Sequence, residues 1–122
     1  MDIDTYTAKK ELIYNILEKN TRHSNGSIYT EACLEQISEL NAITPDIVKL
    51  EKFAKIKLAN SRISFIENND RYVFKSAREL DRYLDEVCIN EYSEVIEIES
   101  LSKKMDKVMD NLRTIISYMN NR

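Results

Sequence analysis

The chain carries one glycine, Gly26, and one proline, Pro45, in 122 residues. Average usage is about 7% and 5%, so nearly every residue that breaks a helix or makes a tight turn is missing. This predicts long helices joined by few connections. Charged residues are interspersed with plentiful aliphatic ones, a folding rather than a disordered composition. The length predicts one globular chain able to bury a core without staples.

Helical periodicity is legible along most of the chain. Leu12, Ile13, Ile16 and Leu17, with Tyr6, form an apolar stripe that predicts a first helix over about residues 6–19. The polar run from Asn20 to Gly26 then reads as a loop, with Asn25-Gly26 suited to a turn of positive φ. Thr30 can cap a second helix that reaches about Asn41, with Leu34, Ile37 and Leu40 on one face. Thr44-Pro45-Asp46 reads as the start of a third. Threonine caps, proline at the first helical position loses no hydrogen bond, and aspartate complements the helix dipole. The short spacing between the second and third helices is that of a helix-turn-helix.

Arg62-Ile63-Ser64-Phe65-Ile66 and Arg71-Tyr72-Val73-Phe74-Lys75 are rich in β-branched and aromatic residues, and Glu67-Asn68-Asn69-Asp70 between them is turn chemistry. Together they predict a β-hairpin. Ser76-Ala77-Arg78-Glu79 is a capping box that starts a fourth helix at Ala77, ending or bending near residues 90–93. In the last segment Ile98, Leu101, Met105, Val108, Leu112, Ile115 and Met119 alternate in steps of three and four. That spacing is a heptad seam, and Val95, Met109 and Ile116 widen it.

The expected fold class is therefore mainly α with one β-hairpin. It consists of a winged helix-turn-helix core over residues 1–92 and a long C-terminal oligomerisation or packing helix over 93–122. An all-α bundle is the alternative.

Charge is distributed unevenly. From Val48 to Arg78 eight Lys/Arg face three acids, a net of +5, while residues 1–47 and 79–122 each carry −4. Clustered bases are the electrostatic footprint of an anionic partner. On a helical wheel of about 100° per residue, Lys49, Lys52 and Lys55 fall opposite the core face formed by Ile47, Leu50, Ala54 and Leu58. Val48, Ile56 and Ala59 border the lysines. Such a face suits a helix in a major groove, with lysines on phosphates and small apolar groups near thymine methyls.

The order helix, helix, helix, hairpin, helix resembles the layout of winged-helix regulators with a C-terminal dimerisation helix. The resemblance is one of layout, and no motif transfers family residues. It implies a cytoplasmic dimer that binds duplex DNA and regulates transcription or replication. Lys49, Lys52, Lys55, Arg62, Arg71 and Lys75 would hold the DNA, and the homodimer would form through the seam from Ile98 to Met119. The alternative is an α-helical adaptor or inhibitor, of the kind a phage or virus encodes. It would dock its seam on another protein, or its basic face on an acidic one.

Other chemistry finds little support. One glycine leaves no phosphate-binding loop. His23 is the sole histidine, in a polar stretch without a spaced partner, and reads as solvated. Cys33 and Cys88 lie in apolar patterns and read as small buried hydrophobes. With His23 they are too few and too scattered for zinc. Glu91, Glu94, Glu97 and Glu99 read as an acidic solvated face. The expectation is no enzyme, no cofactor and no metal. No apolar run reaches the roughly 18–20 residues that span a bilayer.

Overall fold

A computed structural model describes residues 1–19, 21, 28, 30–68 and 74–121. They form four helices: α1 (Ile3–Leu17), α2 (Thr30–Asn68), α3 (Ala77–Val87) and α4 (Ile89–Asn120). No β-strand is present among the described residues. The expected β-hairpin and winged-helix core are therefore corrected, and the all-α bundle fits. The polar stretch with His23 and Asn25-Gly26, and Arg71, Tyr72 and Val73 of the second expected strand, lie outside the described residues.

Two of the expected boundaries are absorbed by α2. Pro45 lies inside this 39-residue helix and starts nothing. Proline in a helix interior costs about 3 kcal/mol through its missing N–H and its ring. Leu40, Ile43, Ile47 and Leu50 are buried on either side of it, each contributing about 1.5–3 kcal/mol. Burial outweighs the penalty and the helix continues. Thr44 is not a cap either: its hydroxyl donates to the Leu40 carbonyl at 2.8 Å, one turn back along the same helix.

The first expected strand, Arg62–Ile66, is helical for a related reason. No glycine or proline follows Pro45 to stop propagation. The spacing of Leu58, Arg62 and Phe65 also fits a helix face, and all three are part-buried. Arg62 donates to the Asp85 carboxylate of α3 from that face.

The helix ends are better marked. Asp2 caps α1, its carboxylate accepting from the Thr5 N–H at 2.7 Å. That bond holds the Asp2 pKa below its usual 3.8. Ser76 caps α3 as the capping box predicts, accepting from the Glu79 N–H at 3.1 Å. Glu79 in turn accepts from the Lys75 N–H at 3.3 Å. The joint between α3 and α4 is a single residue, Cys88. Its N–H donates to the Leu84 carbonyl and its own carbonyl accepts from Tyr92, both at 2.9 Å.

The chain divides into two compact units. Unit 1 is assembled from non-contiguous segments, Met1–Leu50 and Leu101–Arg122. Its core takes Tyr6, Ile13 and Ile16 from α1, Leu40, Ile43 and Leu50 from α2, and Leu101, Met105, Met109 and Leu112 from α4. Gln36 is 3% exposed, and its amide donates to the Ile16 carbonyl at 2.9 Å, which satisfies a buried polar group. Lys9 pairs with Asp46 at 2.7 Å. Lys19 bonds to Glu39 at 2.6 Å, and this partner raises the lysine pKa above 10.5.

Unit 2, Glu51–Ser100, buries fewer apolar residues among those described. Ala54, Leu84, Cys88, Val95 and Ile98 are its buried apolar residues. At its margin the Tyr83 ring packs against Phe65 and Phe74, with centroids 5.4 and 5.1 Å away. Cys33 in unit 1 and Cys88 in unit 2 are buried and unbonded.

Candidate functional site

The second half of α2 carries three faces, and helical spacing separates them. The inner face holds Ala54, Leu58 and Phe65, buried or part-buried. A polar face holds Lys57, Ser61, Ser64 and Asn68, which line an open cleft of about 530 Å³ with Cys88 and Glu91 opposite. The outer face holds Lys52, Ile56, Ala59, Ile63 and Ile66. The first four are exposed and Ile66 is half-buried.

Of the basic residues read as DNA ligands, Lys49 is exposed on α2 within unit 1. Lys52 and Lys55 are exposed on α2 within unit 2. Lys55 sits 3.6 Å from Glu99, both side chains about half exposed. Arg62 is drawn inward: it pairs with Asp85 and its Nε is buried without a hydrogen-bond partner among the described residues. Lys75 is exposed just ahead of α3, and Arg71 lies outside the described residues. The helix that was to read a groove and the first strand of the hairpin that was to flank it are thus one helix, α2. Two of the block's bases already have acidic partners of their own.

The seam residues of α4 fall into two groups. Ile98, Leu101, Met105 and Leu112 are buried within this single chain. Val108, Ile115 and Met119 are half-buried, and the Met119 thioether accepts from the Thr30 hydroxyl at 3.2 Å. Burial of the first four leaves only the second group for another copy to cover.

Sequence reasoning missed the outer face as an apolar surface. Ile56 was visible as a neighbour of the lysines. Ile63 and Ile66 were hidden by the strand reading of residues 62–66. The signal that finds them is their place seven residues beyond Ile56 and Ala59, which only a continuous helix makes meaningful.

Among the described residues, no group of three or more His, Cys, Asp or Glu side chains is placed to hold a metal ion. No helix there is long and apolar enough to cross a membrane. No protein-family model matches the chain, and neither a curated protein nor a solved structure is detectably similar to it.

Proposed function

We propose that the protein is a helical binding module that works by holding another protein, with unit 2 as its contact surface. One observation carries this reading. Among its described residues unit 2 exposes Ile56, Ile63, Tyr83, Val87, Ile89 and Ile96, one more than the five apolar residues it buries. Exposed apolar side chains scattered singly need no explanation, but aliphatic residues repeated along one helix face point to an interaction surface. Ile56 and Ile63 share one face of α2, and Ile89 and Ile96 share one face of α4, each pair seven residues apart. Aliphatic faces gain from a protein partner and little from phosphates.

Duplex DNA is the second reading, favoured by the run of Lys49, Lys52 and Lys55 with no acid on their stripe. Two considerations count against it: the hairpin expected to act as a wing is absent among the described residues, and Arg62 is paired with Asp85.

Affinity purification of the tagged full chain from cells that carry its gene separates the two. Under the protein-binding reading one protein co-purifies in near-stoichiometric amount, survives nuclease, and is lost when Ile56, Ile63, Val87, Ile89 and Ile96 are changed to Ser. Nucleic acid recovered in its place, lost with Lys49→Glu, Lys52→Glu and Lys55→Glu, would establish the DNA reading and overturn ours.

A further inference from the structure

We infer that the outer face of α2 in unit 2 is a docking seam for an acidic amphipathic helix of another protein, an inference that rests on the protein-binding reading above and deepens it. Lys52, Ile56, Ala59, Ile63 and Ile66 follow one another in steps of four, three, four and three. That is a heptad seam, and it runs along the face of α2 opposite its buried residues. Ile56 is 48% exposed and Ile63 is 54% exposed, so the chain itself leaves the seam uncovered. Ala59, small and exposed between them, lets a second helix approach closely. The seam spans about 21 Å at 1.5 Å per residue, long enough for two heptads of a partner.

The rim identifies the partner's charge. With Ile56 and Ile63 as one set of seam positions, Lys55 falls on the flank just before the first, while Arg62, at the matching place before the second, is turned to Asp85. Lys52 lies in the seam itself. No acid occupies the seam, and Glu67 stands alone at the far end of the other flank. Lys52 has no ion-pair partner among the described residues. Lys55 holds Glu99 only at 3.6 Å between two half-exposed side chains, a contact of the kind that exchanges at little cost. A helix with aliphatic residues in its own seam and Glu or Asp on its flanks satisfies both halves of this surface.

Two other occupants fit less well. In a parallel pair of this chain, Lys52 would meet the Lys52 of the second copy. In an antiparallel pair the Lys55 flanks would oppose each other. Duplex DNA would take the lysines and meet single apolar groups with thymine methyls, but it offers no continuous apolar row to match Ile56, Ala59 and Ile63.

The test uses the full chain and a fluorescein-labelled synthetic peptide of about three heptads, with Leu at its seam positions and Glu on both flanks. Three further probes run beside it: a scrambled peptide of identical composition, the same pattern with Lys on the flanks, and a random DNA duplex. Fluorescence anisotropy should give a Kd for the patterned acidic peptide at least about tenfold tighter than for the scrambled one, weakening with salt. The pair Ile56→Asp and Ile63→Asp should abolish binding with the far-ultraviolet circular dichroism unchanged. Lys52→Glu should weaken the acidic peptide and strengthen the lysine-flanked one, a reversal that unfolding cannot produce.

Equal binding of patterned and scrambled peptides, or indifference to either set of substitutions, overturns this inference. If a protein partner still co-purifies as described above, the binding-module reading survives that result. Preference for the duplex over every peptide overturns both.

Discussion

Unit 1 and unit 2 draw on the same long helices and spend them differently. Among the described residues, unit 1 buries thirteen apolar ones and exposes six large ones, Met1, Ile3, Leu12, Leu34, Val48 and Tyr118. Unit 2 buries five and also exposes six. In unit 1 the apolar stripes of three helical segments meet in one core. In unit 2 the outer faces of α2 and α4 carry aliphatic residues that no described part of the chain covers. A helix with two apolar faces is poorly suited to a finished core and well suited to a partner. The comparison teaches that stability and recognition are drawn from different stretches of the same elements.

The largest expected effect tests the stability half of that division. Leu40 in unit 1 and Leu84 in unit 2 are both buried. Leu40→Ala should cost about 2–5 kcal/mol in urea unfolding, the range for a packed core. Unit 2 buries fewer apolar residues among those described, which places Leu84→Ala at or below the lower end of that range. Hydrogen exchange should agree, with α3 amides opening at lower free energy than those of α1. Amides in α3 as protected as those in α1 would break the comparison.

Pro45 offers the next test, of opposite sign. It sits exposed inside α2, where alanine regains a hydrogen bond. Pro45→Ala should stabilise by about 2 kcal/mol, the helix-interior penalty less the entropy that proline removes from the unfolded chain. Destabilisation would mean that the proline ring makes a contact worth more than the bond it forfeits.

The smallest effect is a pH dependence confined to unit 1. Asp2 has a folded pKa below its usual 3.8 because its carboxylate accepts the Thr5 N–H. Its contribution is full above the unfolded value and is lost as pH falls through the folded one. Acidification through that window should fray the start of α1, seen as a shift of the Thr5 amide resonance. Asp2→Asn, an equally good cap without a titrating proton, should remove the dependence while keeping α1.

How far the chain could be read from its residues follows from the same physics. Local chemistry confined to a few residues was legible. Ser76 caps α3 as its spacing promised, with Glu79 reaching back to the Lys75 N–H one residue ahead of the cap, and of the α1 stripe Tyr6, Ile13, Ile16 and Leu17 are buried while Leu12 is exposed. Thr44-Pro45-Asp46 misled because a perfect local start signal was overruled by burial on both sides of it, which no short window contains. Residues 62–66 misled because Ile63, Phe65 and Ile66 suit a strand by type and a helix by position. The ion pair from Arg62 to Asp85 that favours the helix joins residues 23 apart. The break between α3 and α4 was expected near residues 90–93 and falls at Cys88, since neither glycine nor proline marks the place. The lysines were found by counting, but their apolar companions became visible only once the helix was known to continue.

One feature of unit 1 bears on how the protein is made. Its core needs Leu101, Met105, Met109 and Leu112, yet residues 51–100 belong to the other unit. Synthesis delivers α1 and the start of α2 first, and their apolar faces must wait on the ribosome until the whole of unit 2 has emerged. At about 5–20 residues per second the wait lasts several seconds. Throughout it Ile13, Leu40 and Leu50 lack the α4 side chains that complete their core, an interval in which a nascent chain is open to chaperones. The segment that completes unit 1 is translated only after the whole of unit 2, so a premature stop after residue 100 would leave unit 1 without the α4 side chains of its core.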